Sequence, residues 1–290
     1  MTTRAAPDLC DPDTAVAAAR RAGLRLKRRL GQNLMCDRQA LQAIVDALAP
    51  TTEDDVLEIG PGVGTLTVEL APLCRRLVAL DLDAACVRAT VFATHGLGDV
   101  SVLRRDALRT EPTEVGLRGR WLCAGNIPYG ITGALLTHLL ERPRPPQRAV
   151  ITVQREVAAR LAAAPGAWSL ATVAVRSLAD VERVRDIAPQ SFVPPPAVHS
   201  SVLRLTPRAV LSPGDRAAVL ALARPAFQMR RKVLRHGIGR ALGGDEAAAQ
   251  RVLGDAGIDP GRRPDTLDLE EWRALAEQVR ALGAAVGAAR

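Results

Sequence analysis

A chain of 290 residues, 48% hydrophobic and 24% charged, has the composition of a folded globular protein, long enough for one large domain and a smaller appendage. No apolar run approaches the roughly 20 residues of a membrane span, and the first 22 residues, which carry Asp8, Asp11 and Asp13, do not read as a secretory signal, so the cytoplasm is the expected compartment. The net charge of +8 suits a polyanionic partner such as nucleic acid, although it is almost all arginine and owes part of its size to compositional bias; five scattered cysteines without a C-x-x-C pair argue against a disulfide framework or a zinc site.

Residues 1–24 read as an N-terminal extension, helical at best and poorly constrained. A basic patch, Arg25-Leu26-Lys27-Arg28-Arg29, then runs into Leu30-Gly31-Gln32-Asn33. Between positions 38 and 48, apolar residues at Leu41, Ile44, Val45 and Leu48 have the spacing of an amphipathic helix. After Pro50 short apolar runs alternate with helical stretches. Strands are predicted at 56–59, 77–81, 100–103, 121–124 and 150–153, with helices such as 65–73 and 84–94 between them. This alternation predicts an α/β fold, a parallel sheet with helices on both faces. Two further runs, 181–187 and 198–205, have no long helix between them and are expected to pair antiparallel at the sheet edge. Beyond Pro207 only helices are predicted, at 216–239, 245–256 and 269–282, separated by Gly- and Pro-rich breaks. The boundary near Thr206 divides a domain of residues 25–206 from a small C-terminal α-helical domain of residues 207–290.

The first strand of the alternating run leads into Glu58-Ile59-Gly60-Pro61-Gly62-Val63-Gly64, which opens a helix. Glycine is required where a backbone turns tightly and a ligand must come into contact with it. The G-x-G-x-G spacing differs from the G-x-G-x-x-G of dinucleotide enzymes, and Pro61 deletes an N–H that a pyrophosphate cradle would use. A ligand without phosphate, such as S-adenosylmethionine, fits better. Asp81 ends the second strand, 17 positions past Gly64, where a carboxylate can accept from both hydroxyls of a ribose. Asp106 follows the third strand, where it can accept from an adenine amino group. A lone Asp in either place is more commonly a solvated strand end or a helix cap. The order of glycine loop and acids is what points to the cofactor.

Asn126-Ile127-Pro128-Tyr129 follows the fourth strand. An exocyclic adenine amine is a poor nucleophile because its lone pair is delocalised into the ring. The amide oxygen of Asn126 and the backbone carbonyl of Ile127 or Pro128 can each accept one amine hydrogen, bending the nitrogen toward tetrahedral geometry and aiming its lone pair at a sulfonium methyl. Tyr129, the only tyrosine in the chain, offers a ring on which an extracted base can stack, worth about 1–3 kcal/mol. An isolated Asn-x-Pro-Tyr is an ordinary strand-to-helix turn. After the glycine loop and two acids, all at strand ends, it indicates an adenine N6-methyltransferase with its site on the carboxyl edge of one sheet.

These motifs occur together with Leu30-Gly31-Gln32-Asn33-Leu34-Met35, Phe192-Val193-Pro194-Pro195-Pro196, Val198-His199-Ser200-Ser201-Val202 and Ala226-Phe227-Gln228-Met229-Arg230-Arg231-Lys232. The set resembles the ribosomal RNA adenine N6-dimethyltransferases over about residues 18–275, and within that family the small-subunit branch. The resemblance implies a Rossmann-like class I methyltransferase sheet with S-adenosyl-L-methionine as cofactor. Asn33 and Met35 would close over it largely through their backbone, with Gly60 beneath, Asp81 on the ribose and Asp106 on the adenine. Asn126 would stand between cofactor and target amine, flanked by Pro128, and Phe192 would stack on the base face opposite Tyr129. The implied substrate is a pair of neighbouring adenines in a hairpin near the 3′ end of small-subunit rRNA, each dimethylated within a pre-ribosomal particle. A monomer is expected.

Two positions depart from the family pattern. Met35 replaces a leucine at similar volume. Gly130-Ile131-Thr132-Gly133 replaces Asn-Ile-Ser-Thr, which loosens the turn behind Tyr129 and leaves Thr132 to cap the following helix. In the C-terminal domain, Arg230, Arg231, Lys232 and Arg235 are expected on a helix, with Arg231 and Arg235 sharing a face toward phosphates, while Trp272 and Phe227 fill the core. Two alternatives stand beside this reading. One is a large-subunit rRNA adenine methyltransferase that confers macrolide resistance and shares the catalytic domain. The other is a non-catalytic RNA-binding assembly factor, against which the intact Asn126 and Tyr129 speak. A DNA adenine methyltransferase would need a sequence-reading domain that nothing in the chain resembles.

Overall fold

The structure, a computed structural model, describes residues 8–26, 32–117 and 119–288, the side chains as far as residue 283. Most of the basic patch and Leu30-Gly31 therefore lie outside the described residues. The chain forms two compact units, described in turn: residues 8–158 with 181–207, and residues 159–180 with 208–288.

In the first unit, helix α1 (Pro12–Arg21) starts where Asp11 accepts from the Thr14 amide at 2.8 Å and Pro12 presets the first turn. Its buried Ala15 and Ala19 pack with Ala85, Cys86 and Ala89 of α4 (Ala84–Ala93). Arg88 also donates to the Ala22 carbonyl at 2.8 Å. The N-terminal segment is thus docked on α4, where the sequence suggested little constraint, because small side chains let the two helices approach closely.

Seven strands form one sheet: β2 (Asp55–Ile59), β3 (Arg76–Asp81), β4 (Val100–Arg104), β5 (Trp121–Asn126), β6 (Arg148–Gln154), β7 (Ala179–Ile187) and β9 (Ser200–Pro207), in the order β4-β3-β2-β5-β6-β9-β7. The first five run parallel, and β9 joins β6 antiparallel. Every residue of β2 is buried, as befits a central strand covered on both faces, whereas β7 at the edge mixes buried and exposed positions. Helix α2 (Arg38–Leu48) lays Leu41, Ile44 and Leu48 against Val56, Leu77, Leu122, Val150 and Val202; each such buried side chain contributes about 1.5–3 kcal/mol. The expected placement of 181–187 and 198–205 as neighbours at the sheet edge holds. So does the flanking of the sheet by helices, which include α3 (Thr65–Leu70), α5 (Thr132–Leu140) and the start of α6 (Arg155–Leu161).

A two-residue antiparallel pair was not foreseen: β1 (Leu34–Met35) against β8 (Phe192–Val193), with Met35 opposite Phe192. The Cys36 amide extends it by donating to the Ser191 carbonyl at 2.8 Å.

The second unit is helical: α7 (Leu170–Arg176), α8 (Pro213–Gln228), α9 (Leu234–Ala241), α10 (Glu246–Asp255) and α11 (Leu269–Ala288). Trp272, fully buried, centres a core that includes Val219, Leu222, Leu234, Ile238 and Leu253, and its ring lies 6.1 Å from that of Phe227. Trp168 and Val173 belong to the same core. For that reason residues 159–180 group with the helices, where the sequence suggested a single cut near Thr206. The predicted helix 216–239 is also two helices. The chain reverses at residues 229–233, which lets Leu234 and Ile238 return to the core and presses Gly237 onto Ala226, so closely that an added Cβ would stand 2.6 Å from the Ala226 Cα. Arg230, Arg231 and Lys232 consequently sit exposed in a turn, not on a helix, and Arg235 on α9 pairs with Glu246 at 3.4 Å.

Candidate active site

A cavity of about 610 Å³ opens at the carboxyl ends of the parallel strands, within the usual size range of small-molecule sites. Its wall includes Asn33, Met35, Gly60, Asp81, Asp106, Asn126 and Pro128, so seven of the residues singled out in the sequence converge on one space. Tyr129 and Phe192 are not in this wall.

The glycine loop explains how the wall is built. Gly60 has φ +72°, and a Cβ there would meet the Asn126 carbonyl at 3.4 Å. On the other side, a Cβ at Gly125 would stand 2.5 Å from the Ile59 carbonyl. The ends of β2 and β5 therefore touch through bare backbone, and this contact sets Asn126 beside Gly60. The Asn126 side chain donates from Nδ2 to the Asn33 carbonyl at 3.0 Å. Only the NH₂ end of an amide can donate to a carbonyl, so this bond fixes the orientation and leaves Oδ1 as the free acceptor.

The wall is rich in acceptors. Asp81 accepts from the Asp83 amide at 2.8 Å, and burial nevertheless raises its pKa above the ordinary carboxylate value. Asp106 accepts from the Leu108 amide at 2.9 Å, so it is a turn-former and a cavity residue at once. One carboxylate of the wall, Asp83, went unremarked in the sequence, and Glu58 was read only as the acid of the glycine loop. Glu58 is 1% exposed, and burial, helped by the nearby Asp81 carboxylate, pushes its pKa up to about 8; its Oε2 has no hydrogen-bond partner among the described residues. Asp83 caps α4 by accepting from Ala85 at 2.8 Å and also accepts from Gln32 Nε2 at 3.2 Å, which ties the segment before β1 to the rim. The acid before the glycines was visible in the sequence; for Asp83 the only signal was its place as a helix cap. Asn33 Oδ1 is also buried without a partner among the described residues. Leu24, Leu26, Leu34, Leu82 and Ile131 add apolar surface. Unpaired acceptors, several acids and an apolar flank suit a cationic ligand that carries N–H and O–H donors and one flat apolar group.

Tyr129 lies on the short turn between β5 and α5, half-buried, with its hydroxyl 2.6 Å from Ser200 Oγ. Thr132 does not cap α5. It is the first residue of that helix and its hydroxyl donates to the Tyr129 carbonyl at 3.2 Å. Phe192, expected to face Tyr129 across the base, is 2% exposed and packs with Met35 and Ile44 in the core, because its pairing with Met35 in the β1–β8 ladder turns the ring inward. The described residues contain no cluster suited to a metal ion, the cysteines are free thiols, and no described helix is long and apolar enough to cross a membrane.

Comparison with known proteins agrees with this geometry. The family model described as ribosomal RNA adenine dimethylase matches residues 23–275. The Ribosomal RNA small subunit methyltransferase A of Bacillus cereus (strain AH187) is 33% identical over 284 residues, covering 94% of this chain and 97% of the relative. The protein of the same name from Bacillus anthracis (strain CDC 684 / NRRL 3495) matches equally. Among solved structures, a dimethyladenosine transferase from Plasmodium falciparum superposes with a TM-score of 0.75 at 25% identity, covering 86% of this chain and 98% of the other. The 23S rRNA methyltransferase ErmE gives 0.71 at 26% identity, covering 85% and 99%.

Proposed function

The chain belongs to the ribosomal RNA adenine dimethylase family, and from that premise we propose that it dimethylates two neighbouring adenines in the hairpin near the 3′ end of small-subunit rRNA, acting on a pre-ribosomal particle. Its activity is S-adenosylmethionine-dependent N6-dimethylation of rRNA adenine. The observation that carries the site assignment is the amide of Asn126, oriented by the Asn33 carbonyl, in the same wall as Gly60 and Asp81.

The cavity fits the cofactor, whose sulfonium and ammonium charges match the acids and whose donors match the orphaned oxygens of Glu58 and Asn33. Bound there, S-adenosylmethionine supplies an activated methyl group on a positively charged sulfur. In this reading Asp81 accepts from the ribose hydroxyls, Asp106 from the adenine amine, and Asn33 and Met35 line the opposite wall. Asn126 Oδ1 and the carbonyl of Ile127 or Pro128 accept the two hydrogens of the target amine, and Tyr129 stacks on the base. Phe192 supports Met35 from the core, where the resemblance implied a stacking partner. The exposed Arg230, Arg231 and Lys232, which form no ion pair among the described residues, supply phosphate contacts that give affinity and register. The enzyme works as a monomer in the cytoplasm.

The small-subunit reading is supported by the 33% identity over 94% of the chain to proteins named small-subunit methyltransferases. Primer extension on rRNA from a strain deleted for the gene tests it. The stops at the 3′ hairpin of small-subunit rRNA should vanish and return on complementation. A change confined to large-subunit rRNA would overturn the proposal.

A further inference from the structure

Tyr129 is held from an unusual direction. The backbone that follows it contains Gly130 and Gly133, yet neither glycine has a positive φ and neither would bring an added Cβ within 4 Å of any atom. Sterics do not demand glycine at either place. Gly130 leaves the turn, and Gly133 the first turn of α5, short of side-chain contacts and conformationally permissive. Around the backbone of the tyrosine, the Ile131 amide donates to the Pro128 carbonyl at 3.2 Å, and the Thr132 amide and hydroxyl both donate to the Tyr129 carbonyl, the hydroxyl at 3.2 Å. A short tie is at the far end of the ring, where Oη and Ser200 Oγ share a hydrogen bond of 2.6 Å. Ser200 is fully buried and opens β9 in register with Gln154 of β6, so its hydroxyl is fixed to the sheet itself.

We propose that Ser200 is a positioning residue that sets the plane of the Tyr129 ring through this hydroxyl pair, supplying the rigidity that Gly130 removes from the turn and Gly133 from the start of α5. The inference rests on the reading of Tyr129 as the stacking platform and adds the device that orients it. A ring fixed at both ends, by its own backbone and by Ser200, presents one face at one angle. A ring fixed only through a glycine-flanked backbone samples several, and a stacked adenine then meets Asn126 in productive geometry less often.

Single-turnover methyl transfer to unmethylated small subunits, measured beside S-adenosylmethionine and particle affinities, tests this. Ser200→Ala and Tyr129→Phe each remove the same hydrogen bond and should each slow transfer by roughly 10-fold, with both affinities within about twofold of the parent. The double variant should fall no further than either single one, because both delete one interaction. Replacing Gly130 and Gly133 with alanine, for which there is space, should recover part of the rate lost in Ser200→Ala. Wild-type transfer by Tyr129→Phe would overturn the proposal even if Ser200→Ala failed to fold, and additive losses in a folded double variant would overturn it too. Tyr129→Ala separates the two levels. If it is slow while Ser200→Ala and Tyr129→Phe are fast, stacking stands and positioning by Ser200 falls. If Tyr129→Ala is itself fast, both fall.

Discussion

Asn126→Ala is expected to slow methyl transfer by about a thousandfold while leaving rRNA binding within a fewfold of the parent. Two roles coincide in this side chain. Its Oδ1 is the acceptor left free once Nδ2 is committed to the Asn33 carbonyl, and removal of one preorganised partner from a site of developing charge typically costs 10²–10³ in rate. Losing the tie to Asn33 also relaxes the wall proposed to hold the amine, which moves the expected loss to the upper end of that range. Because Asn126 lies in the wall of a small-molecule cavity and is not an exposed basic residue, affinity for the polyanion should be spared. Quench-flow transfer assays and filter binding on the same preparation give the two numbers. Unchanged turnover would remove Asn126 from the mechanism, and an equal loss of rRNA binding would make it a docking residue.

The second large effect belongs to a residue with no side chain. Gly125→Ala should lower the thermal midpoint by about 10 °C, corresponding to about 3 kcal/mol, and weaken S-adenosylmethionine binding at least 10-fold. The added Cβ would stand 2.5 Å from the Ile59 carbonyl. Neither backbone can yield cheaply, since β2 and β5 pair through Glu58 and Ala124 just before this point and Gly125 itself is laddered to Ile151 of β6. Any displacement passes directly to Gly60 and Asn126, the next residue on each strand. Calorimetry with and without cofactor measures both effects. A variant with the parent's melting temperature and affinity would show that the contact between strand ends does not build the site.

The parallel strands were legible in the sequence because each is a short uninterrupted apolar run bounded by breakers, and the structure only lengthens them, as at Trp121–Asn126. The wall residues were legible for a related reason: Gly60, Asp81, Asp106 and Asn126 all stand where a strand ends, and in a parallel sheet those ends share one edge. What escaped the sequence depends on contacts between distant positions. The β1–β8 pair is two residues long and has no periodicity to detect, yet its register decides that Phe192 faces the core. The reversal between α8 and α9 depends on Gly237 meeting Ala226, while the intervening Arg230-Arg231-Lys232 are good helix formers taken alone. Trp168 and Val173 are apolar residues in a stretch between strands, and only packing assigns them to the helical core. The acid of Glu58 was plain, but its raised pKa and its unpartnered oxygen are consequences of burial.

The most direct test of the central claim is to incubate small subunits lacking the modification with the purified protein and S-adenosylmethionine, digest the RNA and identify its nucleosides by mass spectrometry. The account predicts N6,N6-dimethyladenosine at both adjacent adenines of the 3′ hairpin. Recovery of unmethylated adenosine there, from a protein that still binds the cofactor, would contradict it.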